Sequence, residues 1–212
     1  MIIDAAIFDL DGVLVSSIPL HFEAFRRTFA DAGKEFTMDD YVRLGAGAPR
    51  DVLIRRVLGE LPECQFSKLM AAKERHMAEC IGETGIEPIP GACEFVDAVR
   101  QRGLKTAVAT ASRTPDLLLG AAGLGHLFDT VVDRHDVERP KPHPEIFLRA
   151  AQILDVEPAR ALVLEDSPAG IEAGVAAGMR VLALSTTRPA SELTRADAVF
   201  AGFDDIPLDD WL

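Results

Sequence analysis

The stretch AAIFDLDGVLV, residues 5–15, begins with an apolar run and then carries two acids, Asp9 and Asp11. An unbroken apolar run of this length is typical of a parallel β-strand that is covered on both faces. Four more runs have the same character: LKTAVAT (104–110), TVV (130–132), ALVLE (161–165) and RVLAL (180–184). Because helical patterns alternate with these runs, the sequence predicts an α/β fold with a doubly wound, Rossmann-like parallel sheet.

Residues 16–86 follow a different, helical pattern. Their apolar side chains fall on three stripes with helical spacing: Phe22, Phe25 and Phe29; Ile54, Val57 and Leu58; and Phe66, Leu69, Met70, Met77 and Ile81. The turn-rich stretch ETGIEPIPG (83–91) then leads back to the strand-forming part. We predict two domains, an α/β core from residues 1–15 and 87–212 and a small all-helical domain from residues 16–86, inserted after the first strand.

The charge balance argues against several kinds of partner. With 34 acidic and 22 basic side chains, the formal net charge is -12. A nucleic acid or an anionic membrane surface would be repelled by such a protein, so we predict that it binds neither. A divalent cation, by contrast, would be attracted.

Cysteine usage and the N-terminus both bear on the cellular compartment. The three cysteines are odd in number and lack CxxC spacing, which argues against a disulfide framework and a structural zinc site. The N-terminus has no basic region and its apolar residues are interrupted by acids, so neither a signal peptide nor a membrane span is predicted. We expect a soluble cytoplasmic protein that is a monomer or a weak homodimer.

Acidic side chains follow two of the predicted strands. Asp9 and Asp11 end the first strand, and Glu165 and Asp166 end the fourth. Ligands of open parallel sheets gather at these strand ends, and Gly12 allows a turn that brings the side chain and carbonyl of Asp11 toward the same place. Clustered carboxylates repel one another unless a cation lies among them, and an all-oxygen ligand set favours Mg²⁺. The alternative is that these acids are simply solvated.

Hydroxyl and ammonium groups are predicted at the same edge of the sheet. Thr110 ends the second strand, and its hydroxyl and the N–H groups of Ala111 and Ser112 are suited to phosphate oxygens, although a threonine there can equally cap the next helix. Lys141 lies between two prolines that stiffen its loop, the alternative being a solvated surface lysine. A fixed cation beside carboxylates and hydroxyls suits a phosphoryl group.

Together these segments resemble the motifs of the haloacid dehalogenase superfamily of phosphotransferases. DLDGV (9–13) is similar to its DxDGx motif, Thr110 in AVATASR to its strand-end Thr/Ser, Lys141 in RPKPHPEIF to its lysine motif, and LEDSPAGIEAG (164–174) to its acidic motif. The four motifs occur in the family's order and span the whole predicted core. The helical insert resembles the small cap of the subgroup that includes β-phosphoglucomutase and sugar-phosphate phosphatases.

The resemblance implies a role for each of these residues. Asp9 would be the nucleophile that forms an aspartyl-phosphate, and Asp11 would act as general acid and then general base. The Mg²⁺ ligands would be Asp9, Asp11 through its carbonyl, Asp166 and, assisting, Glu165. The groups on the transferring phosphoryl would be Thr110, Lys141, Gly12, Ala111 and Ser112. Metal-independent dehalogenases lack the second aspartate, so carbon–halogen cleavage is not expected.

Three residues of the insert are predicted to contact the rest of the substrate. Lys73 shares a helical face with the third stripe, and either points toward the active site, as in the subgroup, or keeps its ammonium in water at the edge of that face. Arg50 follows the turn LGAGAP (44–49) and could bind a second phosphate or a sugar hydroxyl, or be an ordinary first-turn arginine. His21 lies where the subgroup has a histidine near the hinge, or is structural. Ser16 stands where relatives commonly have an acid, which leaves the substrate open.

Three functions are compatible with these residues. The first is a Mg²⁺-dependent phosphatase of a small phosphorylated metabolite, a sugar or polyol phosphate. The second is a phosphohexomutase similar to β-phosphoglucomutase, in which the aspartyl-phosphate passes to a sugar hydroxyl instead of water. The third is a non-catalytic binding protein on the same fold, which the intact set of catalytic positions argues against.

Overall fold

The computed structural model describes residues 2–44 and 50–212. The chain forms two compact units, one comprising Met1–Ser16 with Ile86–Leu212 and the other Ser17–Gly85. Each unit has a hydrophobic cluster of its own. That the two units are domains with separate roles stays a prediction.

The first unit is built on a parallel sheet. Its strands are β1 (Ala5–Phe8), β2 (Lys105–Ala109), β3 (Thr130–Val132), β4 (Ala161–Glu165), β5 (Arg180–Leu184) and β6 (Ala198–Phe200). Their order across the sheet is β3-β2-β1-β4-β5-β6. β1 pairs in parallel with β2 on one side and β4 on the other, so that Phe8 lies opposite both Val108 and Leu164. The predicted doubly wound α/β fold is confirmed.

Burial explains why the apolar runs form these strands. All four residues of β1 and all five of β4 are buried, as expected for strands covered on both faces. β6 was not predicted, because its three residues are only half-buried and its apolar run is too short to be distinguished from a loop.

The first unit also contains helices, several of which pack on the strands of the sheet. They are α5 (Ala92–Gln101), α6 (Pro115–Ala121), α7 (Glu145–Leu154), α8 (Pro168–Ala176) and α9 (Leu208–Trp211). Phe147 of α7 is fully buried in the main cluster, a burial that contributes roughly 2–3 kcal/mol. Helix α8 begins directly after the acidic motif, where the Ser167 hydroxyl caps it by accepting the N–H of Gly170 at 3.1 Å.

The second unit is helical in its described residues. It contains α1 (Ile18–Asp31), α2 (Met38–Leu44), α3 (Arg50–Leu58) and α4 (Glu63–Thr84). Helices α1 and α4 pack against each other, and the predicted stripes contribute Phe25, Phe29 and Leu69 to one buried cluster. The helical character predicted for the insert is therefore observed.

Across residues 2–44 and 50–212, the helices lack the combination of length and apolar character that a membrane span requires. The expected compartment and oligomeric state stay predictions.

Candidate active site

The ends of the three central strands bring the predicted residues of the first unit together. The N–H of Asp9 donates to the carbonyl of Leu164 at 2.9 Å, so the first acid continues the pairing of β1 with β4. On the other side of β1, the N–H of Thr110 donates to the carbonyl of Val132 at 3.0 Å. Asp9, Thr110 and Glu165 therefore leave the sheet at the same edge.

Lys141 joins three of these strand ends. Its ammonium donates to Oδ1 of Asp9 at 2.5 Å, to Oε1 of Glu165 at 2.7 Å and to the carbonyl of Ala109 at 3.0 Å. The side chain of Lys141 is 8% exposed and its ammonium lies 4.7 Å from the ring centroid of Phe147. The solvated-lysine alternative is therefore wrong, and the loop between β3 and α7 delivers a buried cation to the sheet edge.

The charge of this ammonium is held by its carboxylate partners. Burial by itself lowers the pKa of Lys141, but attraction to Asp9 and Glu165 outweighs burial and raises the pKa above its ordinary value. The group therefore stays protonated throughout the physiological pH range.

One ammonium does not balance the carboxylates around it. Burial raises the pKa of Asp9 to about 7; Lys141 opposes this increase, while Glu165 and Asp11 add to it by repulsion. The pKa of Asp166 is also raised well above its usual value, by burial first and then by repulsion from Glu165 and Asp9. Excess negative charge at this edge favours a further cation.

Glu165 is held by hydrogen bonds on both of its carboxylate oxygens. Oε1 accepts from Lys141, while Oε2 accepts from the N–H of Asp166 at 2.8 Å and from the N–H and hydroxyl of Ser167 at 2.9 and 3.0 Å. Helix α8 also packs closely here, since a Cβ on Gly170 would lie 1.6 Å from Oε1. These contacts support a role for Glu165 in orienting Lys141 and the start of the acidic motif. They give no support to its predicted role as a metal ligand.

The donor set left for a metal is made of oxygen. Within residues 2–44 and 50–212, no three His, Cys, Asp or Glu side chains form a group that could hold a metal ion by themselves. A cation would thus need the carboxylates of Asp9 and Asp166 together with backbone oxygen, such as the predicted Asp11 carbonyl, and water. Such a mixed oxygen set fits Mg²⁺, which commonly keeps several waters and takes only one or two carboxylates.

The turn at Gly12 is required by its surroundings. Gly12 has a φ of 84°, and a Cβ at this position would lie 2.3 Å from Oδ2 of Asp166 and 2.5 Å from the methyl group of Thr187. The N–H of Gly12 donates to the carbonyl of Val15 at 2.9 Å. Only glycine combines this backbone conformation with so close an approach, so the first and fourth strand ends meet here.

Thr110 is buried, and its hydroxyl oxygen accepts the N–H of Ser112 at 3.0 Å. The Ser112 hydroxyl in turn accepts the N–H of Thr114 at 3.3 Å. These bonds shape the turn before α6. That helix begins at Pro115 with Thr114 at its N-cap position, so Thr110 does not cap it as the alternative supposed. No acceptor among the described residues takes the Thr110 hydroxyl hydrogen, which remains suited to a phosphate oxygen.

Two site residues were missed by the sequence prediction. Thr186 and Thr187 follow β5, and their hydroxyls donate to the carbonyl of Gly12 at 2.5 Å and to Oδ2 of Asp166, respectively. The signal was present in STTR (185–188), because β5 ends in polar residues at the same sheet edge as β1 and β4. Because the two threonines carry no charge, the sequence does not distinguish them from threonines of an ordinary turn.

Lys73 and His21 lie together in the second unit. Lys73 is 3% exposed, its ammonium lies 2.9 Å from Nδ1 of His21, and it sits 5.2 Å from the ring centroid of Phe25. The alternative in which this ammonium is in water is wrong. The pair links α4 to α1, and whether it contacts substrate stays a prediction.

Arg50 begins α3 and forms an ion pair with Glu74 at 2.6 Å. The predicted turn before it, residues 45–49, lies outside the described residues. The ion pair agrees with a structural role in linking α3 to α4, and a substrate contact of Arg50 stays a prediction.

Known proteins resemble this chain over nearly its whole length. A family model described as haloacid dehalogenase-like hydrolase matches residues 3–178. The CbbY protein of Rhodobacter capsulatus is 34% identical over 208 residues, which cover 93% of this chain and 89% of the relative. A Thermotoga maritima protein named phosphorylated carbohydrates phosphatase is 34% identical over 184 residues, covering 83% and 82%. The crystal structure of β-phosphoglucomutase from Clostridium difficile superposes with a TM-score of 0.87 at 26% identity, covering 99% of this chain and 95% of that one.

Proposed function

Because the chain belongs to the haloacid dehalogenase-like hydrolases, we propose that it is a Mg²⁺-dependent phosphatase of small phosphorylated metabolites, with sugar or polyol phosphates as substrates. The observation that carries the proposal is the buried contact of Lys141 with Asp9 and Glu165 at the carboxyl edge of the sheet. The Thermotoga relative, named as a phosphatase of phosphorylated carbohydrates, supports the substrate class.

Asp9 is the proposed nucleophile. One of its oxygens would bond to phosphorus as the bond from phosphorus to the ester oxygen breaks, and Asp11 would give its proton to that leaving oxygen. Asp11 would then take a proton from water, whose oxygen bonds to phosphorus as the bond to Asp9 breaks. Inorganic phosphate leaves and Asp9 is regenerated. Lys141 keeps one oxygen of Asp9 fixed through both steps.

The transferring group would meet a prepared set of donors. Lys141 and the Thr110 hydroxyl hydrogen supply positive charge and a hydrogen bond at the strand ends, with Gly12, Ala111 and Ser112 lining the same loops. Phosphoryl transfer depends mainly on such positioning and charge stabilisation. When bound by Asp9, Asp166 and the Asp11 carbonyl, Mg²⁺ would neutralise charge on the phosphoryl oxygens. His21, Arg50 and Lys73 would contact the remainder of the substrate.

A second candidate is a phosphohexomutase. The buried contact of Lys73 with His21 favours it, because an ammonium that a ring nitrogen holds in place is suited to binding a sugar phosphate during a second transfer. The structural similarity to β-phosphoglucomutase supports the same reading.

The test is a turnover assay on a panel of sugar and polyol phosphates, with and without Mg²⁺. We expect Mg²⁺-dependent phosphate release that Asp9→Asn lowers by at least about 10³-fold. Asp4→Asn is the matched control, because Asp4 precedes the same strand but pairs with the surface Arg160 at 2.6 Å, and it should keep full activity.

Two outcomes would overturn the proposal. Conversion of β-glucose 1-phosphate to glucose 6-phosphate without net release of inorganic phosphate would establish the mutase. Absence of Mg²⁺-dependent turnover on every ester of the panel would favour the non-catalytic binding protein.

A further inference from the structure

The loop after β5 contacts two of the strand ends that form the candidate active site. Strand β5 is buried from Val181 to Leu184, and the chain then turns through Ser185, Thr186 and Thr187. The Thr186 hydroxyl donates to the carbonyl of Gly12 at 2.5 Å. The loop is thereby fixed to the turn at Gly12 in the DLDGV motif.

Thr187 reaches the acidic motif at the end of β4. Its hydroxyl donates to Oδ2 of Asp166 and lies 3.3 Å from the carbonyl oxygen of the same residue. Asp166 is 6% exposed, so water cannot readily replace this donor. The hydroxyl therefore holds one carboxylate oxygen in place and leaves the other for a further partner.

The methyl group of Thr187 has a separate contact. It packs where a Cβ of Gly12 would be, at 2.5 Å from the ideal Cβ position, and Oδ2 of Asp166 lies at 2.3 Å from that position. Thr187 thus touches both the Gly12 turn and the Asp166 carboxylate. A side chain with one hydroxyl and one methyl on the same carbon satisfies both contacts at once.

We propose that Thr187 is a positioning residue that orients the Asp166 carboxylate for a divalent cation. The inference rests on the proposed function in that it takes Asp166 as a cation ligand. Hydrogen bonds to a ligating carboxylate set its orientation, and losing one typically weakens metal binding about 10- to 100-fold. In this role Thr187 acts through Asp166, to which its hydroxyl donates.

The experiment measures Mg²⁺ binding directly, by calorimetry on the protein stripped of metal with chelator. Thr187→Val keeps the branched shape and removes the hydroxyl, and we expect it to raise the Kd for Mg²⁺ by at least about tenfold. Thr187→Ser keeps the hydroxyl and should stay within about threefold of the native Kd. Ser185→Ala is the matched control, because the Ser185 hydroxyl faces the Phe200 carbonyl at 3.3 Å and should leave the Kd unchanged.

Each result bears on the inference separately from the proposed function. An unchanged Kd in Thr187→Val, or equal losses in the Val and Ser variants, would overturn the positioning role. Absence of Mg²⁺ binding to the native protein would also overturn it, even if phosphate esters were hydrolysed. Native Mg²⁺ binding that Thr187→Val weakens would support it, even if no ester in the panel were hydrolysed. If Thr187→Val does not fold, Thr187→Ala against Thr187→Ser gives the same comparison.

Discussion

At the scale of single residues, Lys141 is the residue whose replacement we expect to lower the free energy of unfolding most. Its ammonium is the cation that lies between Asp9 and Glu165, at 2.5 and 2.7 Å. Replacing it with methionine, which has a similar length, would leave two buried carboxylates without that partner. We expect Lys141→Met to lower the free energy of unfolding by about 3–5 kcal/mol, measured by urea denaturation in chelator.

The control for this change is Lys68→Met, at an exposed lysine of α4, which should stay within about 0.5 kcal/mol of the native protein. If Lys141→Met had the same midpoint of urea unfolding as the native protein, the ammonium would not be needed to balance the two carboxylates. The proposed phosphatase activity should also fall in Lys141→Met, since the same ammonium contacts Asp9, the proposed nucleophile.

Single residues also show how far sequence reasoning reaches. Asp9, Thr110 and Glu165 were predicted to converge because parallel strands necessarily end at one edge of the sheet. The orientation of Glu165 toward Lys141 and Ser167 could not be predicted, because it depends on hydrogen bonds formed only once the acidic loop and the Lys141 loop have met. Thr187 was missed for the same reason: a neutral hydroxyl acquires significance only from the carboxylate beside it.

At the scale of elements, Glu145 fastens the loop that carries Lys141. Its carboxylate accepts the N–H of Glu138 at 2.7 Å on one oxygen, and the N–H and Nε of Arg139 at 3.3 and 3.2 Å on the other. Glu145 is the first residue of α7, so the loop is tied to the start of the helix that packs on the sheet. Because these hydrogen bonds join residues on either side of Lys141, they should limit the positions that its ammonium can reach.

We expect Glu145→Gln to lower the free energy of unfolding at pH 7, because one of its two accepting oxygens becomes a donor facing Arg139. The hydrogen bond from Glu138 lowers the pKa of Glu145 below its usual 4.5. A lowered pKa stabilises the fold above the pKa of the unfolded chain, so the difference between the native protein and Glu145→Gln should shrink as the pH falls below 4.5.

Urea denaturation between pH 7 and pH 3 measures this difference, with Glu157→Gln as the control at an exposed glutamate. A difference that stayed constant over that range would show that the carboxylate charge of Glu145 is not what holds the loop.

Elements were predicted best where burial is complete. β1 and β4 are buried at every residue, and their unbroken apolar runs identified them. β6 was missed because it is short and is an outermost strand of the sheet. Its residues are therefore only half-buried and give little apolar signal. Lys73 was assigned to a helical face correctly, with its ammonium either in water or directed toward the active site. Its contact with His21 could not be predicted, because that partner is on a different helix.

At the scale of the whole molecule, the ends of the helical insert are held together inside the first unit. The N–H of Ser16 donates to the carbonyl of Glu87 at 3.0 Å, and the N–H of Ile89 donates to the carbonyl of Leu14 at 2.9 Å. Val15 and Pro88 also form an isolated antiparallel bridge. The chain therefore leaves and re-enters the first unit at adjacent points, and a short linker can join them.

This geometry allows the proposed division of labour to be tested by removing residues 17–85 and joining Ser16 to Ile86 through a short Gly-Ser linker. Because the first unit has its own buried cluster around Phe147, we expect the shortened chain to unfold cooperatively in urea, with a smaller m-value since less surface is exposed. It should still hydrolyse a small aryl phosphate but lose discrimination among sugar phosphates, because the residues proposed to contact the sugar have been removed.

Asp9→Asn in the shortened chain is the control that assigns any turnover to the same site. A gradual, non-cooperative transition would mean that the first unit does not fold alone, whereas undiminished discrimination would place specificity in the first unit.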